Sequence, residues 1–375
     1  MKIFGITGTN GKTTTTWILD AFLGGGGYVT TVEANTGRRR FSTGYTTPPL
    51  PVQKEIFAEM EEAGCATCVM EVSSHAIHQR RTGDTVFAGG GFTNLTEDHL
   101  DYHKTMEAYF QVKADFFRRL AESTPGAPAA ICVDGEYGRR LAEICRALPL
   151  RTIECGLSVE GGIQDPQDTQ DTQDFYDLRD FIAARCPLVG RYNVQNVLVA
   201  AALALGAGVP LADIVAKIPT LTPRWGRLER VATRSAADVF VDYAHTDDAL
   251  ANVLSTVREF TKGRVWAVFG AGGDRDRAKR PLMGAAAAAH ADRLVVTSDN
   301  PRGEEPMSII GQIVAGIPAG TDFVTEPDRA KAIHYALSLA EAGDTVVVCG
   351  KGHETTQTIG DKVIHFDDRE TCAQF

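Results

Sequence analysis

Gly5-Ile6-Thr7-Gly8-Thr9-Asn10-Gly11-Lys12-Thr13 decides how the rest of this chain is read. The β-branched run 3–7 has the composition of a short strand, and 13–23 has the pattern of a helix. A glycine-rich turn between a strand and a helix aims backbone N–H groups and the positive end of the helix at one point, which suits phosphate oxygens. Lys12 is then placed to reach β- and γ-phosphates, and the Thr13 hydroxyl to ligate Mg²⁺. Ile6 stands where a strict phosphate-binding loop has its first glycine, so the spacing is G-x-x-G-T-N-G-K-T. The residues expected around the phosphates are Gly8, Thr9, Asn10, Gly11, Lys12, Thr13 and Thr14.

Outward from that loop, strand and helix patterns alternate. Strands are expected over 66–72 and 129–133, and helices over 105–120, 137–147 and 193–205. A second alternation begins near Val231, with strands over 239–243, 265–269, 294–297 and 345–349 and helices over 247–260, 281–290 and 328–340. Such alternation predicts the α/β class, with mostly parallel sheets covered by helices. A chain of 375 residues also exceeds one ordinary core. The expected organisation is a P-loop-type ATPase domain over 1–229 and a smaller Rossmann-like domain over 230–375, joined near Arg224-Trp225-Gly226-Arg227. The glycine run 24–27 reads as a loose connection, and the acidic repeat 164–174 as a solvated loop. The apolar stretch 197–212, interrupted by Gly206, Gly208 and Pro210, reads as a buried helix too short to span a membrane.

The formal net charge of −10 argues against non-specific binding to nucleic acid or to an anionic membrane. The N-terminus shows no tripartite secretory signal, so a cytoplasmic location is expected. Of eight scattered cysteines only Cys65 and Cys68 form a C-x-x-C, and the second pair usual for structural zinc is missing. Buried thiols beside a strand are therefore the expected reading of that pair, with a zinc or redox role as the alternative.

Glu71 ends an apolar run and precedes Val72-Ser73-Ser74-His75. A carboxylate at the end of a strand in a nucleotide-binding sheet suits the metal of a bound nucleotide, although a loop carboxylate reads the same way. Residues 97–103 carry Glu97, Asp98, Asp101, His99 and His103, and Lys113 follows on an expected helix. A lysine among magnesium ligands makes little sense as a cation. If burial keeps its amine neutral, it can capture CO₂ as an anionic carbamate. An ordinary surface lysine remains the alternative.

At these residues the chain resembles the Mur ligase family. The matching motifs are TGTNGKT at 7–13, Thr46-Thr47-Pro48, EVSSH at 71–75, FTNL at 92–95, DHLDYH at 98–103 and NVQN at 193–196. Gly226-Arg227, DYAH at 242–245, GGDRD at 272–276, DNPR at 299–302 and GKGHE at 350–354 continue in the same order. The resemblance implies an ATP-dependent ligase that activates a carboxylate as an acyl phosphate and couples it to an amino acid. Lys12, Lys113 and His99 would be catalytic; Thr13 and Glu71 would hold one Mg²⁺, and His99 with carbamoylated Lys113 a second. Asn196, Arg227, Asp242 and His245 would join the nucleotide site, and Thr46, Thr47, Ser73 and Arg81 would contact the acyl substrate. Arg275, Asp299, Asn300, Arg302, Gly350 and Glu354 would bind the amino acid. Family members carrying D-N-P-R add meso-diaminopimelate, so Arg302 would meet its distal carboxylate and Glu354 its distal ammonium. A loop arginine solvating a turn is the other reading of Arg302.

The family usually begins with a domain for the UDP end of its substrate. Met1 opens almost on the first strand, so that domain is expected to be absent, with a partner chain as one way to supply it. Other departures are Asp247 for a proline, Ala271 for a cysteine, Cys132 and Gly135 in an N-x-D-D signature, and Thr356 for an aromatic residue. None removes an expected phosphate or metal ligand. The expected partners are therefore small-molecule substrates. A two-domain ligase for another small carboxylate and a non-catalytic ATP-binding relative are the competing readings.

Overall fold

Ile6 and Glu71 are register partners in adjacent parallel strands, which sets the phosphate loop and an acidic side chain at the same end of one sheet. The computed structural model describes residues 1–165, 177–223 and 226–375. Arg224, Trp225 and residues 166–174 of the acidic repeat lie outside the described residues. The chain divides into two compact units, Met1–Thr222 and Pro223–Phe375.

The first unit is built on β1 (Lys2–Thr7), β2 (Gly27–Val29), β3 (Ala34–Asn35), β4 (Arg40–Phe41), β5 (Thr67–Glu71), β6 (Gly89–Phe92), β7 (Pro128–Cys132), β8 (Arg151–Cys155) and β9 (Ile163–Gln164). Their order in the sheet is β4-β3-β2-β5-β1-β6-β7-β8-β9. Pairing is parallel from β2 across to β8 and antiparallel where β3, β4 and β9 close the edges. Central strands with both faces covered must be apolar throughout, and β7 is buried along its whole length. Helices Lys12–Phe22 and Arg191–Gly206 pack against each other, while Met106–Ser123 brings Tyr109, Phe110, Phe116, Phe117 and Leu120 into the core.

Two expectations about connections are corrected. The glycine run is not loose throughout: Gly24 and Gly25 turn with positive φ, but Gly27 opens β2. A Cβ on Gly27 would lie 2.9 Å from the Asn35 carbonyl oxygen of the neighbouring strand, so glycine suits the close approach there. The apolar stretch 197–212 is two helices, because Arg191–Gly206 ends before Gly208 (φ +93°) and Pro210 caps Leu211–Lys217.

The second unit carries β10 (Glu229–Arg230), β11 (Asp238–Asp242), β12 (Val265–Phe269), β13 (Arg293–Val296), β14 (Phe323–Thr325) and β15 (Thr345–Cys349), in the order β10-β11-β15-β12-β13-β14. Only β10 runs antiparallel among these. Side chains alternate across β15: Val347 and Cys349 enter one core, Val346 and Val348 the other. Strands β16 (Thr356–Ile359) and β17 (Lys362–His365) form a separate hairpin. Arg329 and Asp368 make a fully buried ion pair at 2.7 Å, and the same guanidinium donates to the Ser298 and Cys349 carbonyls. That cation ties the ends of two central strands to the C-terminal helix.

All eight cysteines are free. Cys65 Sγ donates to the Gly26 carbonyl at 3.2 Å, and burial pushes the Cys68 thiol far up, so this pair behaves as packed thiols. Among the described residues no helix is long and apolar enough to cross a membrane.

Candidate active site

In the first unit the chain leaves β1 at Thr7, turns through Gly8 to Gly11 and enters the helix at Lys12. Gly8 has φ +149° and a Cβ there would lie 1.9 Å from Thr93 Oγ1; Gly11 has φ +84° and its Cβ would lie 2.1 Å from Asn196 Oδ1. The turn is therefore a close fit against two neighbouring segments, and only glycine allows it. No side chain caps the helix at Gly11, which keeps its first N–H groups available to an anion.

The loop is held from outside. Thr9 N donates to the Asn94 carbonyl and Asn10 N to Asn94 Oδ1, both at 2.9 Å, while Thr93 Oγ1 donates to the Asn10 carbonyl at 2.6 Å. Thr15 Oγ1 bonds Asn196 Oδ1 at 3.3 Å, which brings the NVQN helix onto the loop. Lys12 Nζ folds back on the Gly8 and Thr9 carbonyls at 3.0 and 2.7 Å. Thr14 is buried on the first helical turn.

Thr13 Oγ1 donates to Glu71 Oε1 at 2.8 Å, so one hydroxyl and one carboxylate share a corner beside the loop. Thr31 also engages that carboxylate, through its N–H at 2.9 Å and its hydroxyl at 3.1 Å. Thr31 Oγ1 reaches Thr46 Oγ1, and Thr47 Oγ1 donates to the Glu71 carbonyl and receives Ser73 N. Thr46, Thr47 and Ser73 thus gather around Glu71. Arg81 does not join them; its Nε donates to Gln79 Oε1 and its guanidinium lies 5.8 Å from the Tyr45 ring.

Lys113 lies beneath the loop, 1% exposed, donating to the Gly8 carbonyl at 2.8 Å and to Thr7 Oγ1 at 3.4 Å. The surface-lysine alternative is excluded. Burial, and then the neighbouring Lys12 charge, hold its amine well below the usual lysine range, with Asp98 opposing them. His99 has φ +57° and lies 3.4 Å from Asp98; its ring stands edge-on to His75 at 4.9 Å. His103 stacks on Tyr109 at 4.9 Å and bonds Ser74 Oγ at 2.9 Å. Among the described residues no three His, Cys, Asp or Glu side chains converge on one point. The donors at hand are instead a hydroxyl, a carboxylate, an imidazole and a buried amine, a set that phosphate oxygens and a carbamate would complete into oxygen-rich magnesium sites.

Burial pushes His99 and His103 down to about 4, so both imidazoles are neutral near neutrality. The unfolded chain binds protons at these rings from about 6.5 downward, whereas the folded chain resists until about 4. Stability should therefore fall as pH is lowered through that window. His103→Gln should flatten the fall in a thermal melt series against pH. A slope identical to wild type would show that this ring carries none of it.

In the second unit Asp242 is buried and accepts Leu228 N and Ala244 N, each at 2.7 Å. Burial raises its carboxyl above the usual range against the opposing pull of Arg227. The Arg227 guanidinium sits 4.5 Å over the Tyr243 ring, and His245 Nδ1 bonds the Tyr243 carbonyl at 2.9 Å. Farther along, Arg302 (φ +51°) donates from Nη1 to the Gly273 carbonyl at 2.9 Å. A Cβ on Gly272 would meet Arg302 Nη1 at 2.9 Å and Arg275 Cγ at 3.5 Å, so both arginines flank that glycine. Asn300 Nδ2 reaches Glu354 Oε2 at 2.8 Å, and Asp299 Oδ2 approaches the Gly350 backbone. All six residues expected at the amino acid fall on one group of loops in this unit. Sequence reasoning missed Thr31, Tyr109 and Lys351; only Lys351 carried a signal, as the second residue of GKGHE.

Residues 6–204 match the model of the Mur ligase middle domain, and residues 226–352 that of the Mur ligase, glutamate ligase domain. The UDP-N-acetylmuramoyl-L-alanyl-D-glutamate--2,6-diaminopimelate ligase of Synechococcus sp. (strain WH7803) is 43% identical, matching 100% of this chain and 77% of the relative. The protein of the same name from Geobacillus thermodenitrificans is 41% identical over 98% of this chain and 77% of its own length. A solved structure of a ligase with that name aligns at 30% identity and a TM-score of 0.59, covering 99% of this chain and 77% of its own. Folylpolyglutamate synthase of Mycobacterium tuberculosis complexed with ADP aligns with a TM-score of 0.67, over 93% of this chain and 87% of its own; at 21% identity this speaks for the fold alone.

Proposed function

This chain belongs to the Mur ligase family, and we propose that it joins meso-diaminopimelate to the carboxylate of a muramoyl dipeptide in peptidoglycan precursor synthesis or recycling. It is an ATP-dependent, ADP-forming acid–amino-acid ligase. One observation carries the choice of amino acid. Arg302 and Arg275 flank Gly272 while Glu354 is bound to Asn300 of the same D-N-P-R segment, so a cationic and an anionic contact belong to one site. Diaminopimelate has a carboxylate and an ammonium beyond its reacting end, and L-lysine has only the ammonium.

The reaction follows from the chain's own groups. The loop Gly8 to Thr14, pinned by Asn94 through Thr9 N and Asn10 N, cradles the triphosphate with the N–H groups at the start of the helix, and Lys12 leaves its two carbonyl partners to neutralise charge on the γ-phosphate. The substrate carboxylate attacks the γ-phosphorus, and the bond to ADP breaks. Thr46, Thr47 and Ser73 are placed beside Glu71 to orient that substrate. The free amine nitrogen then attacks the acyl carbon, the acyl carbon–oxygen bond to phosphate breaks, phosphate leaves, and the nitrogen gives a proton to solvent to leave the amide. Magnesium held through Thr13 and Glu71, and through His99 and the carbamate of Lys113, would supply further neutralisation of phosphate charge. The carbamate would form when the Lys113 amine, whose protonated form burial disfavours, adds CO₂ and releases a proton.

On this reading the partners are small molecules. The reaction runs in the cytoplasm, which supplies ATP and keeps the eight cysteines reduced. The test is incubation with ATP, diaminopimelate and either UDP-linked or free muramoyl dipeptide, with products identified by mass. ADP release that needs both substrates, together with the amide, supports the proposal. Nucleotide binding with no turnover of either acyl substrate would overturn it.

A further inference from the structure

Lys351 is a buried cation of the second unit that hydrogen-bonds two residues of the proposed amino-acid site, and no step above uses it. Its side chain is 0% exposed. Its ammonium donates to the Thr356 carbonyl at 2.5 Å, to Glu354 Oε2 at 3.0 Å and to Asn300 Oδ1 at 3.4 Å. Three donors meet three acceptors, which is the full capacity of an ammonium.

Asn300 is saturated in the same way. Its amide nitrogen donates to Glu354 Oε2 at 2.8 Å and to Asp299 Oδ1 at 3.1 Å, and its oxygen also receives Thr358 N at 3.0 Å. An amide with both hydrogens and its oxygen committed has nothing left for a ligand without breaking a bond. Asn300 therefore acts by holding its neighbours. Glu354 is different: both its hydrogen bonds fall on Oε2, its side chain is 30% exposed, and Oε1 is left for a ligand. Because the contact on strand β16 is to a backbone carbonyl, the threonine at 356 serves as well as an aromatic residue would.

We infer that Lys351 is a positioning residue for amino-acid recognition, locking Glu354 and Asn300 so that Glu354 presents one carboxylate oxygen to the ammonium of the incoming amino acid. This rests on the reading of the second unit as the amino-acid site. Half of the Glu354 charge is already paired, so an ammonium alone gains less there, and the carboxylate contact at Arg302 gains weight in the choice of substrate.

Lys351→Met keeps the length of the stem and removes the ammonium. The KM for diaminopimelate should rise on the order of tenfold or more, as expected for lost hydrogen bonds to a charged group, while the KM values for ATP and acyl substrate stay put. In a Glu354→Gln background the same change should add little, since its effect passes through Glu354. Additive losses, or an unchanged KM for the amine, would overturn the inference. If Lys351→Met fails to fold, Asn300→Ala removes the other donor on Glu354 Oε2 and should raise the same KM. Oxygen scrambling within ATP, measured with acyl substrate and no amine, reports acyl phosphate formation by itself. Its absence in the wild-type enzyme would sink the proposed reaction, whereas its presence alongside an unmoved amine KM would sink only the role of Lys351.

Discussion

Lys113→Ala is expected to lower kcat by roughly 10²–10³-fold, the usual loss when one charge stabiliser is removed from a reacting centre. Folding should survive, because the Gly8 carbonyl that Lys113 touches also accepts from Lys12. The physical case lies in the burial of the amine. Desolvation and the Lys12 charge both disfavour its protonated form, and Asp98 compensates only in part. Between the folded pKa and the usual lysine value the unfolded chain binds a proton that the folded chain does not. Holding this amine neutral therefore costs the fold stability, and the cost grows as pH falls through that window. Adding CO₂ removes the conflict by giving Lys12 an anion to face.

CO₂ that binds only the folded form must also stabilise it by mass action. Bicarbonate should raise the Tm of the wild-type chain and leave Lys113→Ala unmoved. Activity should decline in CO₂-stripped buffer and return with bicarbonate, and a carbamate resonance should appear with carbon-13 label. Near-normal turnover in Lys113→Ala, or a Tm indifferent to bicarbonate in the wild type, would remove the carbamate from the account.

The elements legible in the sequence were those whose burial is complete and whose ends are chemically marked. Strand β12 (Val265–Phe269) and the helix Asp247–Phe260 have the expected bounds, because an unbroken apolar run and a Thr246 cap need no partner to be recognised. Strand β6 was invisible. Gly89-Gly90-Gly91-Phe92 has poor strand propensity, yet a Cβ on Gly90 would lie 2.8 Å from Phe116 Cε1. That strand is selected by a helix arriving from far along the chain. The hairpin of β16 and β17 was missed for the opposite reason: Lys362–His365 is exposed throughout and has no alternating pattern.

The site divides along the same line. Gly8 to Thr13 could be read because the whole cradle is contiguous. Thr31 could not, since its role is to bond a carboxylate 40 residues away and nothing around it repeats a motif. Lys113 lay between these cases. Its position was visible, but its burial depends on Gly8, Thr7 and the ring of Tyr109, 4.8 Å from the ammonium.

Arg302→Ala should separate diaminopimelate from L-lysine. In the intact site Arg302 gives one N–H to the Gly273 carbonyl and keeps the rest of its fork for a carboxylate, with Arg275 beside it over Gly272. Its backbone is fixed as well: Arg302 N donates to the Thr358 carbonyl and Gly360 N to the Arg302 carbonyl, so the hairpin holds the residue at φ +51°. A substrate without the distal carboxylate leaves this guanidinium desolvated and unmatched, at about 2–5 kcal/mol or roughly 30- to several-thousand-fold in kcat/KM. Removing the guanidinium erases that difference. The kcat/KM for diaminopimelate should fall as its carboxylate contact is lost, while the value for L-lysine holds or rises as the unmatched charge is removed, so that their ratio collapses toward one. The ratio is the decisive measurement, because a damaged fold or a weakened nucleotide site would lower both substrates together. An equal loss with either amine would show that Arg302 shapes the loop and does not read the carboxylate.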